Sequence, residues 1–198
     1  MSPTNSGLTL VLASTSRYRR ELLERLRIPF QTVSPDTDET PLLHETPAAT
    51  AGRLALTKAR SVLNKYPRSL IIGSDQVAFC DGMRLDKPGD YACALQQLRY
   101  SSGKLVEFIT AVAILNAGSG RAQTKLVSTE VKFRKLSDLE IARYLEAEPA
   151  YDCAGSAKAE GLGISLVESI LSTDPTALIG LPLIALSELL RNEQLSLP

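Results

Sequence analysis

The sequence predicts an α/β or α+β fold on a mixed β-sheet with flanking helices. Short, wholly apolar runs such as residues 8–13 and 70–72 read as buried strands. Residues 50–64 repeat apolar side chains at three- and four-residue intervals, the period of a helix. Strands and helices mix without strict alternation, which points to a mixed sheet.

Composition narrows the class further. The 198 residues fit one domain spanning 1–198, with two lobes around a cleft as a variant of it. Hydrophobic residues make up 44% and charged residues 22%, as in a globular protein with a true core. Formal net charge is zero, so the excess of Lys and Arg that a general nucleic-acid binder needs is missing. A small anionic ligand stays open, because it needs only a local cluster of charge. Cys80, Cys93 and Cys153 are odd in number and scattered, giving neither a disulfide framework nor a zinc motif. Met-Ser-Pro-Thr-Asn-Ser at the start does not resemble a signal peptide, and no apolar stretch approaches the ~18 residues of a membrane span. The expected location is the cytoplasm.

The elements follow in order. Residues 8–13 form the first strand, and Ser14-Thr15-Ser16 supplies helix-capping side chains. Leu22, Leu23 and Leu26 give the next helix an apolar face, with its end near Pro29. Residues 30–33 are a second short strand, and residues 34–47, with three prolines and several acids, are a loop. Thr46 or Thr50 begins a helix to about Asn64, carrying Ala51, Leu54, Ala55, Ala59, Val62 and Leu63. A strand runs from Leu70 through Gly73 to Phe79, with a turn at Asp81-Gly82. A helix follows over 90–99, then an apolar, β-branched stretch over 105–115, a turn at 118–120 and a strand over 125–133. Ser137 and Glu140 make a capping-box pattern at the start of a helix over 137–146. A strand over 164–170 and a helix over 182–191 complete the chain.

Five constellations bear on chemistry. In Ser14-Thr15-Ser16-Arg17-Tyr18-Arg19-Arg20 a strand runs into a hydroxyl-rich turn and a helix start, a natural anion site. Arginines in a first helical turn oppose the helix dipole, which suits a bound anion. A solvated face with Arg17–Glu21 and Arg20–Glu24 pairs is the competing reading. Asp36-Thr37-Asp38-Glu39-Thr40 offers carboxylates for a hard cation such as Mg²⁺, or is simply an acidic surface loop. His44, the only histidine, reads as a surface residue. Lys58 falls inside the apolar stripe of its helix, where it must snorkel out or meet an anion. Asp75, after Leu-Ile-Ile-Gly-Ser, stands at the end of a buried strand, as a general base, a metal ligand or a turn cap. Gly73 beside it lets backbone approach a ligand. Lys87-Pro88 adds a cation in a turn, and three glycines surround Lys158 and Glu160 in a segment able to cradle a nucleotide.

The order of these motifs resembles the Maf family of nucleoside triphosphate pyrophosphatases. The resemblance spans nearly the whole chain: Leu-Ala-Ser-Thr-Ser with paired arginines, Asp38-Glu39-Thr40, Lys58-Ala59, Gly73-Ser74-Asp75-Gln76, Lys87-Pro88, Ala154-Gly155-Ser156 and Gly180-Leu181-Pro182-Leu183. It implies an α/β fold with a mixed, strongly curved sheet and a deep cleft, akin to inosine triphosphate pyrophosphatases, and it makes a homodimer an option. It implies Asp75 as proton acceptor, Arg19, Lys58 and Lys87 at the triphosphate, and Ser14 as a further phosphate contact. It also implies Glu39 and Asp75 at a divalent cation, Mg²⁺ or Mn²⁺.

Tyr18, Gln76 and Glu160 match the family's base-selecting positions, in the pattern of the branch that hydrolyses 7-methyl-GTP to 7-methyl-GMP and pyrophosphate. An aromatic face suits the cationic 7-methylguanine ring, and a carboxylate suits the N1–H and N2–H edge of guanine. Uracil and thymine would meet that carboxylate badly. Arg17 and Tyr18 depart from the proline and tryptophan of that pattern, and Asp86 and Ser172 each stand in place of a glycine. Two alternatives remain: the same reaction on UTP, dTTP or another modified nucleotide, and a nucleotide-binding regulator of cell division without turnover.

Overall fold

The first apolar run forms β1 (Thr9–Ala13) in a computed structural model that describes residues 8–197. The leader-free reading of residues 1–6 lies outside the described residues. β1 pairs in parallel with β2 (Phe30–Val33) and β3 (Ser69–Cys80), with Leu10 opposite both Phe30 and Leu70. With β4 (Met83–Arg84), β5 (Leu105–Asn116), β6 (Ala122–Phe133) and β7 (Val167–Ser172) the strands form one open, mixed sheet. Its order is β2-β1-β3-β5-β6-β7, with β4 paired antiparallel to β3. The helices are α1 (Arg17–Glu24), α2 (Pro47–Ser61), α3 (Tyr91–Ser101), α4 (Asp138–Ala147) and α5 (Leu183–Asn192).

The chain divides into two compact units. The first takes the chain up to Asp75, Thr110–Val127 and the residues from Asp174 onward. Its sheet is covered on both faces, and strand alternation assigns the covers. Leu10, Leu12, Leu70 and Ile72 cluster with Leu22 and Leu23 of α1 and Leu186, Leu189 and Leu190 of α5. Val11, Ala13 and Ile71 cluster instead with Ala59 of α2 and with Val62. The second unit, Gln76–Ile109 and Ser128–Thr173, buries Leu98 of α3, Ile141 and Leu145 of α4 and Phe133 of β6. There the Arg99 guanidinium forks onto the Asp138 carboxylate at 2.7 and 2.9 Å. The capping box forms as the sequence predicts. Ser137 Oγ accepts from Glu140 N, and Glu140 accepts from Ser137 N at 2.8 Å.

Several boundaries differ from expectation for local reasons. α1 ends at Glu24 rather than near Pro29, because the chain turns through Arg27 in the left-handed region at φ 55°. Leu26 still packs on the core from that turn. Gly161 and Gly163 bracket the start of a 3-10 turn (Leu162–Leu166), so the last strand begins at Val167 rather than at 164. β6 begins earlier than its apolar alternation suggests, and β4 is too short to leave a periodic signal.

Gly73 sets how closely α2 approaches the sheet. A Cβ at this position would lie 2.0 Å from the carbonyl oxygen of Ala55 and 3.0 Å from the amide nitrogen of Ala59. It is thus the α2 backbone, not a ligand as the sequence suggested, that comes close here. Gly73→Ala must push α2 off the sheet, and we expect a loss of about 3 kcal/mol or more by urea denaturation, at or beyond the upper end for overpacking.

Candidate active site

Alternation along β3 sends its residues to two different partners. Ile71, Gly73 and Asp75 face α2, whose buried residues Ala51, Leu54, Ala55, Lys58 and Ala59 follow the helical repeat. The small side chains let strand and helix backbones meet, and Lys58 then reaches along the strand to Asp75. Lys58 Nζ donates to Asp75 Oδ1 at 2.6 Å, with the two side chains only 6% and 8% exposed. Lys58 is therefore not a snorkelling surface lysine. Its Nζ also stands 2.8 Å from Oε1 of Glu39, whose side chain is 56% exposed. One buried ammonium thus draws together a buried and an accessible carboxylate.

The opposite face of β3 holds the basic side. Ser74 Oγ lies 2.8 Å from both Ala111 O and Gly180 O, and Gly180 O also accepts from Arg19 Nε at 2.8 Å. Gly180 is fixed by its loop: Asp174 accepts from the Ile184 and Ala185 amides at 2.7 and 3.2 Å, capping α5. Removal from water lowers the pKa of the Arg19 guanidinium, and the charges of Asp75 and Glu39 oppose that shift. Ser14 is buried one residue beyond β1, and its Oγ accepts from Ser16 N at 3.1 Å. Ser16 in turn caps α1, its Oγ accepting from Arg19 N. Ser14 and the Glu39 loop thus follow parallel strands at their carboxyl side, where open α/β sheets present ligand groups. Asp75 lies within β3 rather than at its end, as the sequence suggested, three residues past Ile72, where the parallel pairing with β1 stops. Ser74 and Gly180 escaped the sequence reading. Both lie in motifs quoted for the family resemblance, but their part rests on a hydroxyl and a carbonyl whose partners are far away in sequence.

The other residues of the basic segment are accounted for individually. Arg20 pairs with Glu24 at 3.1 Å on the exposed face, as the helical spacing suggests. Arg17 donates to the Tyr18 hydroxyl at 2.9 Å and lies 4.7 Å from the ring centroid, so Tyr18 already binds one cation on its face. His44 is exposed, in a turn at φ 62°.

Lys87, Gln76 and Glu160 belong to the second unit. Lys87 is exposed in the irregular segment after β4 rather than in a turn, and the neighbouring Asp86 carbonyl accepts from Gln97 Nε2 at 2.8 Å. Gln76 is half-buried directly after Asp75. The Glu160 segment is folded by its glycines: a Cβ on Gly163 would lie 2.6 Å from the Lys158 backbone. Lys158 N donates to Tyr144 Oη at 3.0 Å, and Lys158 Nζ pairs with Asp152 at 3.1 Å. Partial removal from water raises the pKa of Glu160; its own backbone amide and Lys158 oppose that, while Glu148 and Asp152 add to it.

Among the described residues no group of three or more His, Cys, Asp or Glu is arranged to hold a metal ion. Asp75 and Glu39 both contact Lys58 Nζ, so the two carboxylates lie close together beside an ammonium. As oxygen donors they fit a hard cation held by one or two carboxylates with substrate phosphates completing its shell. They do not fit a cage made by protein alone.

The family model described as Maf-like protein matches residues 9–193. The chain belongs to this family. A 7-methyl-GTP pyrophosphatase of Aromatoleum aromaticum is 57% identical over 189 residues, covering 96% of this chain and 97% of that protein. Proteins of the same name from Burkholderia pseudomallei and Bordetella avium are each 56% identical, over 92% of this chain and 86% and 91% of theirs. The match of the Maf-like family takes in every candidate residue from Ser14 to Glu160.

Because Lys58 and Asp75 are buried together, removing one leaves the other uncompensated. Lys58→Met should cost about 3–5 kcal/mol in denaturant. The double replacement Lys58→Met/Asp75→Leu should recover most of that stability, which a double-mutant cycle by urea titration measures.

Proposed function

We propose that this chain is a nucleoside triphosphate pyrophosphatase that hydrolyses 7-methyl-GTP to 7-methyl-GMP and pyrophosphate, clearing a modified nucleotide from the pool. The observation that carries the reading is the buried Lys58 held between Asp75 and Glu39, in a chain matched along most of its length by proteins named for that reaction.

The chemistry follows from the residues. Lys58 engages Asp75 Oδ1, which orients the carboxylate and leaves Oδ2 to align a water and take its proton. That water attacks the α-phosphorus, and the bond from the α-phosphorus to the bridging oxygen breaks, with pyrophosphate leaving. Arg19, Lys58, Lys87 and Ser14 bind and neutralise the triphosphate. Glu39 and Asp75 would hold Mg²⁺ or Mn²⁺, which supplies charge neutralisation on the phosphates. Tyr18 stacks on the cationic base, Gln76 lies against it, and Glu160 accepts from its N1–H and N2–H groups. A homodimer, which the family resemblance makes an option, and a cytoplasmic location, read from the sequence, complete the proposal. Among the described residues no helix is long and apolar enough to cross a membrane.

Pyrophosphate release from a panel of canonical and modified nucleotides, with Mg²⁺ or Mn²⁺, tests the reading. Turnover should be highest with 7-methyl-GTP and lost in Asp75→Asn. Preference for UTP or dTTP would overturn the substrate, and binding without turnover would favour a regulatory protein.

Glu160 gives the proposal a pH signature. Its raised pKa means that the carboxyl takes up a proton above the ordinary 4.5, so the acceptor is lost early as pH falls. The preference for 7-methyl-GTP over UTP, measured as a ratio of kcat/KM, should therefore decline on the acid side before pH 4.5 is reached. In Glu160→Gln the ratio should be lower and flat over the same range.

A further inference from the structure

The loop that delivers Glu39 has no secondary structure between β2 and α2, yet its side chain meets Lys58 at 2.8 Å while half in water. A carboxylate on so long a loop loses much entropy when ordered, so something must hold the backbone on either side of it. The groups that do so stand outside the site described above. Arg53 lies on α2, five residues before Lys58. Its Nε donates to Glu45 Oε1 and one terminal nitrogen to Glu45 Oε2, both at 2.7 Å. The same terminal nitrogen is 3.2 Å from the carbonyl of Thr40, the residue after Glu39.

Glu45 gathers the rest of the loop. Its Oε2 accepts from the Leu42 amide at 3.1 Å and from Thr50 Oγ1 at 3.0 Å. The Glu45 amide returns a bond to the Leu42 carbonyl at 3.1 Å, closing the turn that contains His44. On the other side of Glu39, Asp38 Oδ1 accepts from the Thr40 amide at 2.9 Å. Both backbone groups of Thr40 are therefore fixed, and the anchor of the whole arrangement is on the helix that carries Lys58.

We infer that Arg53 and Glu45 are positioning residues for the reaction: a bidentate clasp that ties the acidic loop to α2 and holds Glu39 on Lys58. The inference deepens the reading proposed above and rests on it for Glu39's role. Bidentate guanidinium–carboxylate pairs are the geometry in which an ion pair fixes direction as well as distance. The hydrogen bonds from Arg53 hold the Glu45 pKa down to about 2, so the clasp keeps its charge at any pH where the protein works. Lysine cannot replace the fork, because its single ammonium cannot serve both Glu45 oxygens and Thr40 in one plane.

The test combines kinetics with amide exchange in the full chain. Arg53→Met and Glu45→Gln should each lower kcat/KM for 7-methyl-GTP by about 10- to 100-fold, the scale for removing groups that orient ligands. Arg53→Lys should restore only part of that loss. On a Glu39→Gln background, Arg53→Met should cost no further activity, because Arg53 acts through Glu39. Losses that multiply, or an Arg53→Met enzyme as active as the parent, would overturn the clasp. Hydrogen exchange separates this from failure of the activity itself. The Leu42 and Thr40 amides should exchange at least tenfold faster in Arg53→Met while β1 and β3 stay protected, and unchanged protection there would refute the inference even in a chain that hydrolyses no nucleotide.

Discussion

The arrangement depends on one buried ion pair. Lys58 and Asp75 meet at 2.6 Å with both side chains almost out of water. Burying two charges is costly, and their attraction repays the cost only when geometry and further hydrogen bonds are good. A hydrophobic pair would serve stability at least as well. What the charged pair gives is a carboxylate fixed in direction within β3, just past its parallel pairing with β1, with an ammonium beside it for an incoming phosphate. Glu39 and Arg19 extend this to a patch of alternating charge, in which Asp75 and Glu39 help keep the half-buried Arg19 charged.

The pair exists because backbones touch. Gly73 and the alanines of α2 remove side-chain bulk where strand and helix cross, and the next residue on the same face of β3 is Asp75. Alternation then gives Ser74 to the other face, where the Gly180 carbonyl holds both its hydroxyl and Arg19. Two adjacent residues of one strand thus organise an acidic and a basic side of the same centre. The cap on α5 by Asp174 belongs to this scheme, because it fixes the loop from which Gly180 points.

Much of this is legible in the sequence, for a physical reason. Strands buried on both faces write themselves as unbroken apolar runs, so β1 and the start of β3 stand out at once. The repeat of Ala51, Leu54, Ala55, Ala59 shows which face of α2 is buried, and it marks Lys58 as a charge in the wrong place. Ser137 and Glu140 announce α4 because the capping box is local. The features that stayed hidden are not local. Nothing in the spacing of Glu45 and Arg53 predicts a fork across a helix start, and Gly180 acts through a carbonyl that every residue has. Gly73 signals a close approach, but a sequence does not say which backbone comes near, and the partner is α2 rather than a ligand. The end of α1 departs from expectation because Arg27 adopts a left-handed conformation that its residue type does not favour.

If Asp75 directs water at the α-phosphorus, the position of the new oxygen records it. Hydrolysis of 7-methyl-GTP in ¹⁸O-labelled water, followed by mass spectrometry of both products, reads this directly. The account predicts one labelled oxygen in 7-methyl-GMP and none in pyrophosphate. Label in pyrophosphate, or a nucleoside diphosphate as product, would contradict it.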